Sequence, residues 1–384
     1  MKIEIHEPIG IVVTVRDRVS TLERALLALL ATTSHDHPIL AVLGGLSDEM
    51  RSALEGQRWA DRVDFEFTAA PLNPQEGRNI GLARMSTRLC AFVDSDVLVR
   101  SGWLEALYQC QTDTEAAVVV PLILERPTRI HCAGTDLYID EDDGVRFGFK
   151  TLRNEGMPFT NASNLRRSEC DYAELHCQLV QRQLAIDLEA YDEAIPEGGE
   201  VDNGLVLREA GYSVWFEPAA VVLFDRHAPL TAVDLPHFVK KWDTAEIVDG
   251  LRHFNTKWGI DISERGGFIN FLSDTNAQVG PLPRRWPSDR ALAASQRLGR
   301  SLTRLLSSPR TVQRRLQKRR HGAGELQRWV DEVRATQRST RPVPSITRPI
   351  GGAPDESPRR SSSDPAALHV ERRFGHSPAP ASRT

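Results

Sequence analysis

The run Cys90-Ala91-Phe92-Val93-Asp94-Ser95-Asp96 sets two carboxylates one residue apart at the end of an apolar segment. An extended chain points alternate side chains the same way, so Asp94 and Asp96 can address one site together. Open α/β sheets gather ligands at the carboxyl ends of their strands, which is where this pair falls. Paired hard oxygen donors suit Mg2+ or Mn2+ bridging to a diphosphate. The same Asp-Ser-Asp also serves as a plain turn or helix cap, because short polar side chains bond nearby backbone N–H groups. The order of the flanking segments weighs for the metal.

Ahead of this pair, Ile9-Gly10-Ile11-Val12-Val13-Thr14-Val15 is the β-branched run of a strand buried on both faces. Ser20-Thr21-Leu22-Glu23 reads as a capping box opening a helix on which Leu22, Leu26, Leu29 and Leu30 share a face. A strand is expected at 38–43, a helix at 48–56 and a third strand at 63–67. Asn73-Pro74-Gln75-Glu76 then opens a helix that should run to about Arg88. Three β–α alternations leading to an apolar strand predict a doubly wound, mostly parallel α/β sheet with right-handed crossovers. Further on, a helix is predicted over 101–111, a strand over 116–120, irregular polar loops over 125–175, and helices over 179–188 and 202–210. Two strands should follow at 212–216 and 219–224. A helical extension over 235–258 carries Phe238, Trp242, Ile247, Leu251, Phe254 and Trp258 on one stripe, a pattern of core packing.

Charge divides the chain. Residues 281–384 hold 22 Lys/Arg against 8 Asp/Glu, and residues 1–280 hold 26 against 44, so a basic tail follows an acidic body. The five cysteines show no Cys-x-x-Cys spacing and sit in apolar segments, which predicts buried thiols rather than a zinc site. Met1–Glu7 lacks the apolar centre of a signal peptide, and the longest apolar runs fall short of the ~18 residues that span a bilayer. A soluble, cytoplasmic protein is the expectation.

Four pieces in order make the chain over roughly 8–260 resemble the family 2 glycosyltransferases of the GT-A fold. Ile11-Val12-Val13-Thr14-Val15-Arg16-Asp17-Arg18 is similar to the family's first strand and nucleotide-contacting turn. Asn73, with Arg78-Asn79-Ile80-Gly81, is similar to its Asn…Arg-Asn-x-Gly helix. Phe92-Val93-Asp94-Ser95-Asp96 followed by Gly102-Trp103-Leu104 resembles its DxD strand and next helix. Gly199-Glu200-Val201-Asp202 to Gly211-Tyr212, then Phe216-Glu217-Pro218, resembles its acidic catalytic segment.

The resemblance implies a metal-dependent, inverting transfer from a nucleotide sugar to an acceptor hydroxyl. Glu200 and Asp202 are then the catalytic candidates, Glu200 the preferred base and Asp202 a support. Thr14, Arg16, Asp17, Arg78, Asn79, Asp94 and Ser95 would contact the nucleotide. Asp94, Asp96 and His227 would hold Mn2+ or Mg2+. Each has a plainer reading: helix-capping acids near a helix start, a polar turn, or a structural histidine. The chain departs from the family where Leu43-Gly44-Gly45-Leu46 stands in place of base-reading acids, and where Phe224 replaces a histidine common there. His131, Gly134 and His176 are candidates for shaping the acceptor site within 125–175.

The implied organisation is a GT-A catalytic domain over 1–225, a helical extension over 226–275, and a basic, partly disordered tail over 276–384. Leucines among the arginines of 297–320 form either a basic amphipathic helix resting on an anionic membrane or a solvated arm. No nucleic-acid motif is present. The partners implied are a nucleotide-sugar donor and a glycan, lipid-linked or other hydroxyl acceptor, in polysaccharide or glycoconjugate synthesis. A dinucleotide-binding dehydrogenase or a sugar-nucleotide pyrophosphorylase would need glycines after the first strand, and Val15-Arg16-Asp17-Arg18 has none. A degenerate domain that binds a glycan, a nucleotide sugar or a partner without turnover is the alternative.

Overall fold

Every residue of β1 (Ile9–Thr14) is buried, as a strand between two helical layers must be. The computed structural model describes residues 4–263, apart from 143, 226, 227 and 229. His227 and the segment 264–384, including the basic tail, lie outside the described residues. The chain continues through α1 (Leu22–Thr32), β2 (Ile39–Gly44), α2 (Asp48–Glu55), β3 (Asp64–Thr68), α3 (Pro74–Arg84) and β4 (Leu89–Asp94). Next come β5 (Val97–Val99), α4 (Trp103–Thr114), β6 (Val118–Arg126) and β7 (Arg129–Cys132). The strands β8 (Thr135–Asp142), β9 (Val145–Leu152), β10 (Ser168–Cys170) and β11 (Cys177–Gln181) follow. The described chain closes with α5 (Arg182–Asp187), α6 (Gly199–Glu209), β12 (Val214–Phe224), α7 (Leu235–Lys241) and α8 (Thr244–Trp258).

The main sheet runs β10-β12-β6-β11-β4-β1-β2-β3. Strands β3, β2, β1 and β4 pair in parallel, which sets Thr14 directly beside Asp94 at their carboxyl ends. Strand β11 runs antiparallel between β4 and β6, so the residue just before it, His176, meets the end of β4. The two sheet faces are buried separately. Ile11, Val13, Leu26, Trp103 and Leu107 pack on one side with α1 and α4, while Val12, Leu82, Phe92, Val120 and Ala185 pack on the other with α3 and α5. This is the mostly parallel, doubly wound sheet flanked by helices that the β–α alternation predicts. Among the described residues no helix is long and apolar enough to cross a membrane. All five cysteines are buried and unpaired with one another.

Helix α3 starts as its residues dictate. The Asn73 side chain accepts from the N–H groups of Gln75 and Glu76, and the Glu76 carboxylate accepts from the Asn73 N–H at 2.6 Å. It ends at Arg84 rather than Arg88, because Met85 already takes an extended backbone toward β4. The capping box expected at Ser20–Glu23 does not form. Residues 19–21 make a 3-10 turn, and the buried Asp234 carboxylate draws both the Ser20 N–H and hydroxyl at 2.8 Å.

The larger correction is at 125–175, where β6 extends to Arg126 and a two-stranded hairpin of β8 and β9 replaces the expected loops. Its turn, with Gly144 at φ 72°, is polar and was legible only as a loop. Leu137 and Val145 bury one face of the hairpin against Ile247, Leu251, Phe254 and Trp258 of α8 and Val201 and Leu205 of α6. The aromatic and aliphatic stripe on α8 is thus core. The predicted helix at 179–188 is half strand, β11, and half helix, α5. The two strands expected at 212–224 are one, β12, with an irregularity between Glu217 and Val221. The extension breaks at Trp242–Asp243, where the Asp243 side chain caps α8 by accepting from Ala245 and Glu246 N–H.

Candidate active site

Asp94, at the end of β4, is buried and held on both oxygens. Thr14 Oγ1 and Arg78 Nη2 each donate to Oδ1 at 3.2 Å, and His176 Nδ1 lies 3.1 Å from Oδ2. Arg78 is itself fixed by the carbonyls of Pro74 and Leu175 at 2.9 and 2.7 Å. Burial alone would raise the Asp94 carboxyl, but the His176 and Arg78 contacts outweigh it and hold it below the usual carboxylate range.

Asp96 differs. It is equally buried, yet its Oδ1 has no hydrogen-bond partner. Burial, reinforced by the charges of Asp17 and Asp94 and only partly offset by His176 and Arg16, pushes its carboxyl up to about 7. The backbone around it is closed: Ser95 N–H donates to Thr14 O at 2.8 Å, Ser95 Oγ donates to Arg18 O at 2.9 Å, and Asp225 N–H donates to Asp96 O at 2.8 Å. The donor atoms of Asp94, Asp96 and His176 lie within 4.8 Å of one another.

Around this tip the turn after β1 supplies Arg16, whose Nη1 sits 3.0 Å from His176 Nε2, and the buried Asp17. Arg16 is held protonated: burial opposes its charge, and Glu197, Asp94 and Glu174 override that. Asn79 points elsewhere. Its side-chain amide donates to Tyr191 O and Glu193 Oε1 at 2.9 Å, pinning the loop before α6.

That loop delivers the second pair of acids. Gly198, at φ 88°, turns the chain into α6, and Gly204 lets the helix approach the Asp171 carbonyl, 2.4 Å from where a Cβ would stand. Glu200 receives Lys150 Nζ from β9 at 2.6 Å and keeps part of its side chain exposed. Asp202 is fully buried and taken by α8, accepting from Trp258 Nε1 at 2.7 Å and pairing with Lys257 Nζ at 2.8 Å. Just before α6, Glu197 pairs with the buried Lys241. Burial would raise Glu197, but Lys241, with Lys150 and Arg16 behind it, holds its carboxyl at about 2.

Of the residues predicted for the site, Thr14, Arg16, Asp17, Arg78, Asp94, Ser95 and Asp96 gather at the tip of β4. Glu200 and Asp202 share the start of α6. His176, proposed from sequence only for acceptor shaping, is brought against Asp94 and stacks on Phe224 with ring centroids 3.8 Å apart. Its placement depends on β11 being a strand, which a helical reading of 179–188 conceals. At the end of β2, Gly44 O accepts from His237 Nε2 at 2.8 Å and Gly45, at φ 68°, packs on Pro71. That edge therefore offers backbone, not a carboxylate.

Residues 10–183 match the family model described as Glycosyl transferase family 2. Two curated relatives from Mycobacterium tuberculosis, of strains CDC 1551 / Oshkosh and ATCC 25618 / H37Rv, are each named pre-mycofactocin glycosyltransferase. Both are 30% identical over 233 residues, covering 59% of this chain and 44% of theirs. The chain thus matches less than half the length of those relatives. Among solved structures, GalNAc-T7 with UDP, GalNAc and Mn2+ superposes with a TM-score of 0.45 at 15% identity, covering 71% of this chain and 55% of that one. TarS residues 1–349 from S. aureus in complex with UDP-GlcNAc gives 0.44 at 11% identity, covering 86% and 80%.

Proposed function

We propose, from the match of residues 10–183 to glycosyl transferase family 2, that the chain moves a sugar from a nucleoside-diphosphate sugar to an acceptor hydroxyl with inversion. The observation that carries this reading is Asp96, a buried carboxylate with an unpartnered oxygen at the mouth of the sheet. Buried charges persist when they are paired or coordinate metals, and the hard oxygens here fit Mn2+ or Mg2+. Asp96, with Asp94 beside it, would hold the ion, which would offset the negative charge that builds on the departing diphosphate.

The chain's own residues do the rest. Arg16 brings a fixed positive charge next to the same place, and Thr14 and Asp17 line the turn on which the nucleoside would rest. Arg78 keeps Asp94 ionised and oriented. Glu200 accepts the acceptor's proton as its oxygen attacks the anomeric carbon from the side opposite the diphosphate. Lys150 holds Glu200 in place, and Asp202 locks the first turn of α6 to α8. A single base with no carboxylate nucleophile gives one displacement, hence inversion. The acceptor belongs to polysaccharide or glycoconjugate synthesis, and the relatives named for pre-mycofactocin support a sugar-transfer role.

The closed backbone edge at Gly44–Gly45 favours a second reading, a domain that binds a nucleotide sugar or glycan without turnover. A thermal-shift screen of nucleotide sugars with Mn2+, run beside release of the nucleoside diphosphate, separates the two. A donor that raises Tm and is slowly hydrolysed by the wild type but not by Asp96→Ala supports the transferase. Stabilisation without any release supports the binding module, and no shift with any donor sinks both.

A further inference from the structure

Beside the tip of β4 the fold assembles a second set of donors that the proposed transfer does not use. His131 on β7, and Glu174 and His176 in the approach to β11, bring two imidazoles and a carboxylate within 4.8 Å of one another. Both histidines are buried and Glu174 is half-buried. Nitrogen-rich sets of this kind suit Zn2+, Co2+ or Fe2+ rather than the Mg2+ that all-oxygen sites take.

The surroundings are those of a metal-bound imidazole. His176 Nδ1 lies 3.1 Å from Asp94 Oδ2, so a proton on Nδ1 is donated to a carboxylate and Nε2 is left on the Glu174 side of the ring. A carboxylate behind a histidine in this way fixes the tautomer and strengthens the ring as a ligand. Nε2 faces Glu174 Oε1 at 3.5 Å. Glu174 is oriented in turn, its Oε2 accepting from the His176 backbone N–H at 2.9 Å. Phe224 stacks on His176 and lies against His131 with centroids 5.3 Å apart, an apolar wall that holds both rings. The cation now beside the ring is Arg16, whose Nη1 lies 3.0 Å from Nε2 and 3.2 Å from Nδ1.

We propose that His131, Glu174 and His176 form a binding site for a single transition-metal ion, distinct from the cation held by Asp96, with Asp94 as the carboxylate behind His176. The ion ligates His176 through Nε2 and displaces the Arg16 cation from beside the ring. The ring of His176 thereby joins the two sites.

The test uses the full chain stripped with a chelator and titrated with Co2+, whose visible absorption reports ligation by imidazole, with Zn2+ as the competitor. The wild type should bind one equivalent that carries the imidazole signature and is displaced by Zn2+, and Asp96→Asn should bind that equivalent equally well. His131→Asn and Glu174→Gln should each weaken Co2+ by at least about tenfold, the low end of what even an outer-shell change costs. Arg16→Met should bind Co2+ at least as tightly as the wild type. Should His131→Asn fail to fold, Glu174→Gln decides, with its metal-free Tm and circular dichroism as the check on folding. Undiminished Co2+ binding in Glu174→Gln overturns the proposal, as does loss of the signal in Asp96→Asn. Stabilisation by a nucleoside diphosphate with Mn2+, measured on the same proteins, falls with Asp96→Asn and Arg16→Met but not with His131→Asn or Glu174→Gln, so a failure there leaves the Co2+ result standing.

Discussion

Two pairs of acids, each spaced one residue apart, sit on opposite kinds of scaffold and share a division of labour. At the tip of β4, Asp94 is saturated by Thr14, Arg78 and His176 while Asp96 keeps an open oxygen. At the start of α6, Asp202 is saturated by Trp258 and Lys257 while Glu200 has one lysine and some solvent. In each pair one acid is spent on anchoring neighbouring side chains, and the other is left for chemistry. On α6 residues two apart are turned about 200° from one another, which separates Glu200 from Asp202, whereas Asp94 ends β4 and Asp96 lies in the turn beyond it.

That division predicts which changes cost activity and which cost stability. Glu200→Gln is expected to lower sugar transfer by about 10²–10⁴-fold, the range for removing a general base, with Tm nearly unchanged. A fall in Tm as large as the loss of rate would undo the comparison. Asp96→Asn should cost about 10²–10³-fold, as for removal of one group that stabilises developing charge. Its Tm without metal should be no lower than wild type, because the amide removes a buried unpaired charge. The anchoring groups should behave in the opposite way.

Glu197→Gln leaves Lys241 buried without its partner and should destabilise by about 3 kcal/mol in urea unfolding. The Glu197 carboxyl is depressed from its ordinary 4.5 to about 2, so its contribution is present above pH 4.5 and lost as pH falls toward 2. The stability difference between wild type and Glu197→Gln should therefore shrink across that window, and a constant difference would remove Lys241 as the cause. Asp202→Ala strands the Trp258 indole N–H and should cost about 2 kcal/mol, most of it recovered by Asp202→Asn. Asn73→Ala removes the cap of α3 for about 1 kcal/mol. Equal losses of transfer in Asp202→Asn and Glu200→Gln would place Asp202 among the working groups.

The first four strands were legible because β1, β2 and β4 are β-branched or apolar runs and β3 alternates polar with apolar residues, and α3 because Asn73, Pro74 and Glu76 spell its start. Those elements bring Thr14, Arg78 and Asp94 together without further information. What stayed hidden was non-local. The hairpin β8–β9 is too polar to stand out, since only one of its faces is buried, and Lys150 could not be tied to Glu200 before that hairpin existed. Strand β11 is five residues long and passes straight into a helix, so periodicity misplaced it, and with it His176. Ser20 looked like a cap until Asp234, 214 residues away in sequence, took its hydroxyl.

Lys150, Lys241 and Lys257 come from three separate elements, and each grips one acid within six residues at the head of α6. Exchange of the β8–β9 insert for a segment of different origin would thus succeed only if the newcomer carried a cation in the register of Lys150. Grafts lacking it would fold around an untethered Glu200, which makes lysine register a practical rule for recombining this insert with new acceptors.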